Sequence, residues 1–180
     1  DGDADLIVSH EKDAPAFLLL NDGSGKFERR ELPYGVAQNI RGGDVNGDGH
    51  LDILFWDAGK IRILLAGEES PGFYYGHWPY GAFRSTGDFN RDGHVDLAVP
   101  CQTESGTYVS PFFGLGDQLF VEGKRYQIDG GRGDAVTADF DGDGLLDIAL
   151  TTDLPSVNVL YGKADGTFEP RVRLPGGGAD

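Results

Sequence analysis

The chain has 180 residues, 39% of them hydrophobic, with 29 Gly, 9 Pro and a formal net charge of −15. At this length the hydrophobic fraction supports one domain with a packed core and argues against a disordered chain. The negative charge excludes nucleic acid and anionic membrane surfaces as partners, and no apolar run approaches the roughly 18 residues of a membrane-spanning helix.

The first residues, DGDADLIV, match the second half of an acidic motif that recurs in full three times further along. The chain contains no Met, so Asp1 is not a translated start. We therefore expect a larger parent chain or a removed signal peptide, and a first repeat whose acidic loop lacks its first half.

The full motif has nine residues: DVNGDGHLD at 44–52, DFNRDGHVD at 88–96 and DFDGDGLLD at 139–147. An apolar run follows each copy, at Ile53–Phe55, Leu97–Val99 and Ile148–Leu150. Because side chains alternate across a strand, we expect Leu51, Ile53 and Phe55 to enter the core of a sheet.

A second marker, a Gly-rich turn that ends in phenylalanine, recurs at Phe27, Phe73, Phe120 and Phe168, with spacings of 46, 47 and 48 residues. The two markers divide a single propeller region into repeats of approximately 1–43, 44–87, 88–138 and 139–180.

Each repeat supplies about four short apolar runs bounded by Gly and Asp, which is typical of antiparallel strands. A repeated helical pair is the competing interpretation of such a period, but the runs show no helical stripe. The sequence therefore predicts an all-β fold, a β-propeller of about four four-stranded blades within a larger ring. A closed four-bladed ring and two copies that form eight blades are the alternatives.

The acidic motif has the donors of a calcium loop. Oxygen-bearing side chains at positions one, three, five and nine, with the carbonyl of position seven, can surround a hard cation, and the glycine at position six allows the sharp turn. The predicted ligands are Asp44, Asn46, Asp48, the His50 carbonyl and Asp52 in the first loop; Asp88, Asn90, Asp92, the His94 carbonyl and Asp96 in the second; and Asp139, Asp141, Asp143, the Leu145 carbonyl and Asp147 in the third.

Calcium suits these loops better than magnesium, which demands a tight octahedron, or zinc, which prefers Cys and His. We expect about three ions, one per complete loop, in a structural role, with the side chains of His50 and His94 pointing outward. The alternative is that these are Asp-Gly turns without metal.

The pattern D-x-[DN]-x-D-G-x-x-D before an apolar strand, with turns such as NDGSGKF and KADGTF, resembles the FG-GAP and VCBS-type repeats of integrin α-subunits and secreted bacterial proteins. The resemblance implies a calcium-stabilised propeller, often seven-bladed, that acts outside the cell in adhesion or ligand recognition. The truncated first loop lacks positions one and three and retains Asp1 and Asp5 as its side-chain donors.

A protein or glycan is the expected partner. The aromatic segment PGFYYGHWPYGAF at 71–83, with Trp78 and Tyr80, is either a binding surface or blade packing. An RGD triplet at 132–134 is a weak match to an integrin ligand. The alternatives are a polysaccharide lyase or hydrolase domain, although no catalytic constellation is present, and a passive spacer in a surface protein. Cys101, the single cysteine, is expected to be a packed thiol.

Overall fold

A computed structural model describes residues 4–9, 15–32, 38–57, 60–66, 72–74, 82–116, 119–130, 133–170 and 172–175. Within these ranges the chain forms strands and turns and no helix. Consequently, the described residues include no helix that is long and apolar enough to cross a membrane.

The strands form four antiparallel sheets, which we call blades 1 to 4. Blade 1 contains β1 (Leu6–Val8), β2 (Phe17–Asn21) and β3 (Phe27–Glu31); blade 2 contains β4 (Gln38–Gly43), β5 (Asp52–Asp57), β6 (Lys60–Leu64) and β7 (Gly72–Tyr74); blade 3 contains β8 (Ser85–Gly87), β9 (Asp96–Thr103), β10 (Gly106–Gly114), β11 (Phe120–Glu122) and β12 (Tyr126–Ile128); blade 4 contains β13 (Ala135–Ala138), β14 (Asp147–Thr151), β15 (Ser156–Leu160) and β16 (Val172–Pro175).

The first strands of blades 2, 3 and 4 lie side by side, because β8 contacts both β4 and β13. The all-β prediction and the partial propeller are confirmed. Blade 3 has five strands where four were predicted, since the nine-residue β10 pairs with β9 on one edge and with both β11 and β12 on the other.

Three hydrophobic clusters fill the spaces between successive blades. They are Ala16, Leu32 and Phe55 between blades 1 and 2; Val45, Leu54, Ile61, Ile63, Phe83, Leu97, Val99, Phe112 and Phe120 between blades 2 and 3; and Phe89, Ala98, Val109, Tyr126, Ile128, Ala135, Ile148, Leu150, Leu160 and Phe168 between blades 3 and 4. Full burial of one such Leu, Ile or Phe contributes about 1.5–3 kcal/mol. The stability of the arc therefore depends on stacking.

Strand β9 shows why its sequence is a continuous apolar run. Leu97 and Val99 face blade 2 while Ala98 faces blade 4, and all three side chains are fully buried. Cys101, on the same strand, is a free and buried thiol, as expected, and burial raises its pKa.

In the second and third acidic motifs, the residue at position eight, Val95 or Leu146, packs against the preceding blade. A Cβ atom on Gly43 would lie 2.5 Å from Val95 Cγ2, and one on Gly87 would lie 2.7 Å from Leu146 Cδ1, so a side chain at either position would displace the residue packed there. The prediction that Leu51 enters the core is wrong: its side chain is 70% exposed. In blades 2, 3 and 4 one strand precedes the acidic loop. Among the described residues, blade 1 lacks that strand, so Leu51 has no equivalent surface to pack against.

Apolar side chains are also exposed on the outer faces of blades 1 and 4. Leu6 and Phe27 are 50% and 46% exposed on the face of blade 1 that points away from blade 2, and Val136 and Val172 are 58% and 41% exposed on blade 4. Blades 2 and 3, which have neighbours on both sides, bury the corresponding positions of their central strands. The arc is thus an open segment of a ring.

Candidate functional site

The three acidic motifs form equivalent loops, each between the first and second strands of a blade. We call residues 44–52 loop A, 88–96 loop B and 139–147 loop C. Loop A leads from β4 into β5, loop B from β8 into β9 and loop C from β13 into β14. Because these first strands are neighbours, the three loops lie along one end of the arc.

The aspartate at position one organises the turn of each loop. In loop A, Asp44 Oδ1 accepts the Gly47 N–H at 2.8 Å and Asp44 Oδ2 accepts the Gly49 N–H at 2.8 Å. Asp139 repeats both contacts in loop C at 2.7 and 2.9 Å. Asp88 accepts the backbone N–H groups of positions five and six in loop B. The protein itself therefore holds each turn in shape.

The aspartate at position nine accepts two backbone hydrogen bonds that the spacing of the acidic motif did not predict. Asp52, Asp96 and Asp147 are 0%, 0% and 1% exposed. One carboxylate oxygen of each accepts the N–H of position two of its own loop, from Val45, Phe89 and Phe140 respectively. The other oxygen accepts an N–H at or just beyond the end of the third strand, from Ala66, Gly114 and Gly162 respectively. Each carboxylate thus joins two segments of its blade.

This burial has an electrostatic cost in loop B. Burial, with smaller contributions from the neighbouring Asp92 and Asp88 carboxylates, raises the pKa of Asp96 to about 7. The N–H groups of Gly114 and Phe89 oppose that rise. A cation beside the carboxylate would favour its charged form.

Positions three and five differ between the loops. In loops A and B, an asparagine amide donates to the aspartate at position five: Asn46 Nδ2 to Asp48 Oδ2 at 2.9 Å, and Asn90 Nδ2 to Asp92 Oδ2 at 2.8 Å. This bond, with the His50 N–H, lowers the pKa of Asp48. In loop C, position three is Asp141, whose carboxylate side chain has no N–H to donate.

Loop C brings three of its four predicted carboxylates together. Oxygen atoms of Asp139, Asp141 and Asp147 lie within 4.8 Å of one another, and the first two side chains are exposed. Asp143 is not in this cluster; its Oδ1 accepts the Leu145 N–H at 2.8 Å. A set composed of oxygen donors, part buried and part open to solvent, fits a hard divalent cation such as calcium.

A groove beside loop C keeps the set accessible. Asp141 and Asp143 line it from the loop, and Tyr161, Lys163 and Glu169 line it from the turn that follows β15. The amine Nζ of Lys163 lies 3.1 Å from Glu169 Oε1 in that turn. An ion can therefore reach loop C from solvent.

The position-seven histidines differ in environment. His50 is exposed, as expected. The prediction that His94 points outward is wrong, because its ring lies between blades 2 and 3, where its Cε1 would stand 3.3 Å from a Cβ on Gly47 and 2.5 Å from one on Gly116. Its Nδ1 is buried without a hydrogen-bond partner. The use of the His50, His94 and Leu145 carbonyls as ligands stays a prediction.

Several sequence predictions fall at the boundary of the described residues. Asp1 of the truncated loop and the segment 75–81 of the aromatic stretch, with Trp78 and Tyr80, lie outside them. Asp5 Oδ1 accepts the Asn21 N–H at 2.8 Å, so Asp5 repeats one contact of position nine. Phe83, at the end of the aromatic stretch, is buried between blades 2 and 3. Arg132 of the RGD triplet also lies outside the described residues.

Arg91, at position four of loop B, is a residue that motif reasoning missed. Position four is Gly47 in loop A and Gly142 in loop C, with φ angles of 76° and 82°. Arg91 adopts a similar left-handed conformation at 61°, and its Nη2 donates to the Gly144 carbonyl of loop C. The detectable signal was arginine at a position that is otherwise glycine.

The family comparison covers most of the chain. The family model described as FG-GAP-like repeat matches residues 1–55, 44–99 and 88–150. The search of curated proteins gives no match.

Among solved structures, the chain is similar to a lectin of Agrocybe aegerita that specifically recognises non-reducing terminal N-acetylglucosamine. The TM-score is 0.61 at 20% sequence identity, over 91% of this chain and 47% of the lectin chain. The chain thus spans about half the length of the lectin, and the likeness concerns the fold.

Proposed function

Since this chain belongs to the FG-GAP-like repeat family, we propose that it is a calcium-stabilised region of an extracellular β-propeller that recognises a glycan ligand. The observation that carries the calcium part is the convergence of Asp139, Asp141 and Asp147 in loop C. In loops A and B, as in loop C, the position-one aspartate accepts the N–H of position six and the position-nine aspartate accepts the N–H of position two, which supports one ion per loop.

Different positions of each loop have different proposed roles in turn formation and ion binding. Asp44, Asp88 and Asp139 hold the turn and offer carboxylate oxygens, while positions three and five offer the exposed donors. The buried aspartate at position nine links the loop to the rest of its blade. A bound calcium ion would supply positive charge between carboxylates that otherwise repel one another.

Chelation and calcium titration test this role. We expect excess chelator to lower the thermal midpoint of the wild-type protein, and calcium to restore it with a stoichiometry of three ions by titration calorimetry. At a free concentration 100 times the dissociation constant, each site would add about 2.7 kcal/mol to the free energy of unfolding.

A charge-matched control separates ion binding from loss of charge. Glu104→Gln removes a carboxylate from the exposed turn between β9 and β10, outside the three loops. We expect this variant to keep the full calcium response, whereas Asp139→Asn should lose one ion from the stoichiometry. Equal thermal midpoints in chelator and in millimolar calcium would overturn the proposal.

Glycan recognition is proposed from the aromatic segment at 71–83, whose rings are suited to stacking on sugar faces. The fold likeness to a lectin supports a propeller as a scaffold for this role. A glycan array with wild-type protein in calcium, compared with Trp78→Ala and Tyr80→Ala, tests it. Binding lost in both variants but kept in Phe27→Ala, an exposed aromatic on β3, is the expected result.

The outcome of the array also separates other functions. Array binding followed by release of sugar products would point to an enzyme. Binding to no glycan would overturn the glycan part of the proposal and leave a protein ligand or a spacer.

The proposed extracellular location is based on the calcium affinity that is typical of such loops. Calcium loops of extracellular modules bind at about 10⁻⁴–10⁻³ M, so they are empty in a cytosol and occupied outside the cell. Calorimetric dissociation constants in that range are expected. Constants near ~10⁻⁸ M, typical of cytosolic buffers, would contradict an extracellular assignment based on affinity.

A further inference from the structure

Arg91 occupies a backbone conformation that a residue with a side chain seldom adopts. Its φ of 61° lies in the left-handed region, which the other two loops fill with glycine at the same position. Such a conformation persists where surrounding contacts hold it. The contact that Arg91 makes lies in the next blade.

The Arg91 guanidinium reaches across the blade boundary. Its Nη2 donates to the carbonyl oxygen of Gly144, 53 residues further along and at position six of loop C. A Cβ on Gly144 would lie 3.4 Å from the same nitrogen, which places the guanidinium beside the backbone of Gly144.

The peptide that receives this bond is already held on its other side. Gly144 N–H donates to Asp139 Oδ2 at 2.9 Å, and Leu145 N–H donates to Asp143 Oδ1 at 2.8 Å. Arg91 fixes the remaining polar atom of the Gly144–Leu145 peptide. The next carbonyl, that of Leu145, is the predicted backbone ligand of loop C.

We propose that Arg91 is a positioning residue that couples ion binding at loop B to ion binding at loop C. This inference rests on the proposed calcium role of the loops. Arg91 lies between Asn90 and Asp92, two predicted ligands of loop B, so an ion there orders the backbone from which the guanidinium extends. The guanidinium then holds the loop C turn in its binding geometry. Coupling between two binding sites is reciprocal.

An electrostatic role and a positioning role of Arg91 predict opposite changes in calcium affinity at loop C when the side chain is removed. If the guanidinium acted only as a positive charge beside four carboxylates, its removal would strengthen calcium binding at loop C. If it positions the turn, its removal weakens binding there. Arg91→Gly is the suitable variant, because glycine fits the left-handed conformation and already occupies this position in loops A and C.

A double-mutant cycle tests the coupling. Loop B is disabled with Asp92→Asn, which keeps an oxygen for the His94 N–H at 2.8 Å. Occupancy of loop C is followed by the NMR shift of the Gly144 amide during calcium titration. In the wild-type background we expect Asp92→Asn to weaken binding at loop C about fivefold or more, at the lower end of allosteric couplings. In Arg91→Gly, the same substitution should change it by less than about twofold, below the range of such couplings.

Loop A provides the matched control. Asp48→Asn is the equivalent change in loop A and should leave binding at loop C unaltered. Metal-free hydrogen exchange gives a second readout: the Leu145 amide should exchange faster in Arg91→Gly than in wild type, while that of His50 stays the same.

The outcomes separate the two proposals. An equal loss from Asp92→Asn in the wild-type and Arg91→Gly backgrounds, or tighter calcium binding at loop C in Arg91→Gly, would overturn the coupling while leaving three calcium sites in place. Absence of calcium binding in the wild-type protein would overturn the proposed function and the coupling together.

Discussion

Loops B and C share the backbone contacts of position nine and the contact from position one to the N–H of position six, but they differ in how their carboxylates are arranged. Loop B has three carboxylates and places an amide between two of them, since Asn90 Nδ2 donates to Asp92 Oδ2 at 2.8 Å. Loop C has four carboxylates, and Asp141 can only accept. The comparison shows that hydrogen bonds within the protein specify the turn in both loops, and we expect the dependence on a cation to vary with the residue at position three.

The largest expected loss of stability does not distinguish loops B and C, because it comes from position nine, where both loops make the same contacts. Asp96→Ala and Asp147→Ala each leave two backbone N–H groups without their acceptor at a site that is 0–1% exposed. One unsatisfied buried group costs about 1–3 kcal/mol. We therefore expect each variant to lose roughly 3 kcal/mol or more of unfolding free energy, measured by urea denaturation in chelator.

Calcium serves as the control for that experiment. Because the lost hydrogen bonds belong to the protein, the deficit should remain when calcium is added. A loss below about 1 kcal/mol, less than one unsatisfied group costs, would show that Asp96 and Asp147 act as metal ligands alone.

A smaller loss of stability is expected at position four, where loop C has Gly142 and loop B has Arg91. Gly142 has a φ of 82°, and a Cβ there would meet no atom within 4 Å, so Gly142→Ala tests backbone conformation without a steric clash. A left-handed conformation costs a residue with a side chain roughly 1–2 kcal/mol. We expect Gly142→Ala to lose about that much by denaturation, and Gly49→Ala, also at an open position with a φ of 83°, to behave alike. No loss in either variant would mean that the turns relax.

The repeats made much of this architecture predictable from sequence. The period and the short apolar runs predicted the blades, and the alternation of Asp and Asn predicted which side chains share a loop. Asp139, Asp141 and Asp147, 8 residues apart at most, converge, whereas Asp143, which the pattern also placed in the set, is not in the cluster. A local motif carries this information because nine consecutive residues form the whole turn.

Contacts between blades, and contacts between distant segments of one blade, were the part that local reasoning missed. Leu51, Val95 and Leu146 share position eight, but the burial of each depends on a strand from the preceding blade. The donors to position nine from Ala66, Gly114 and Gly162 lie 14–18 residues beyond their aspartates. The Arg91 contact spans 53 residues. Each depends on stacking and sheet geometry, which a linear pattern does not specify.

The smallest expected effect exchanges the residues that distinguish the two loops. Asp141→Asn should give loop C the amide of loop B, removing one repelling charge and supplying an N–H to Asp143. In chelator we expect its thermal midpoint to rise by about 2–4 °C, the shift that 1 kcal/mol produces at this chain length. Asn90→Asp, the reverse exchange in loop B, should lower the midpoint by a similar amount in differential scanning calorimetry.

The variant with the lower thermal midpoint in chelator, Asn90→Asp, should gain more from calcium than Asp141→Asn. An added carboxylate strengthens an oxygen site for calcium, so Asn90→Asp is expected to bind more tightly at loop B and Asp141→Asn more weakly at loop C. The gain in thermal midpoint on adding calcium would then be largest for Asn90→Asp, intermediate for wild type and smallest for Asp141→Asn. The same gain in all three proteins would contradict the role given to position three, because the loops would then differ in sequence without differing in their dependence on a cation.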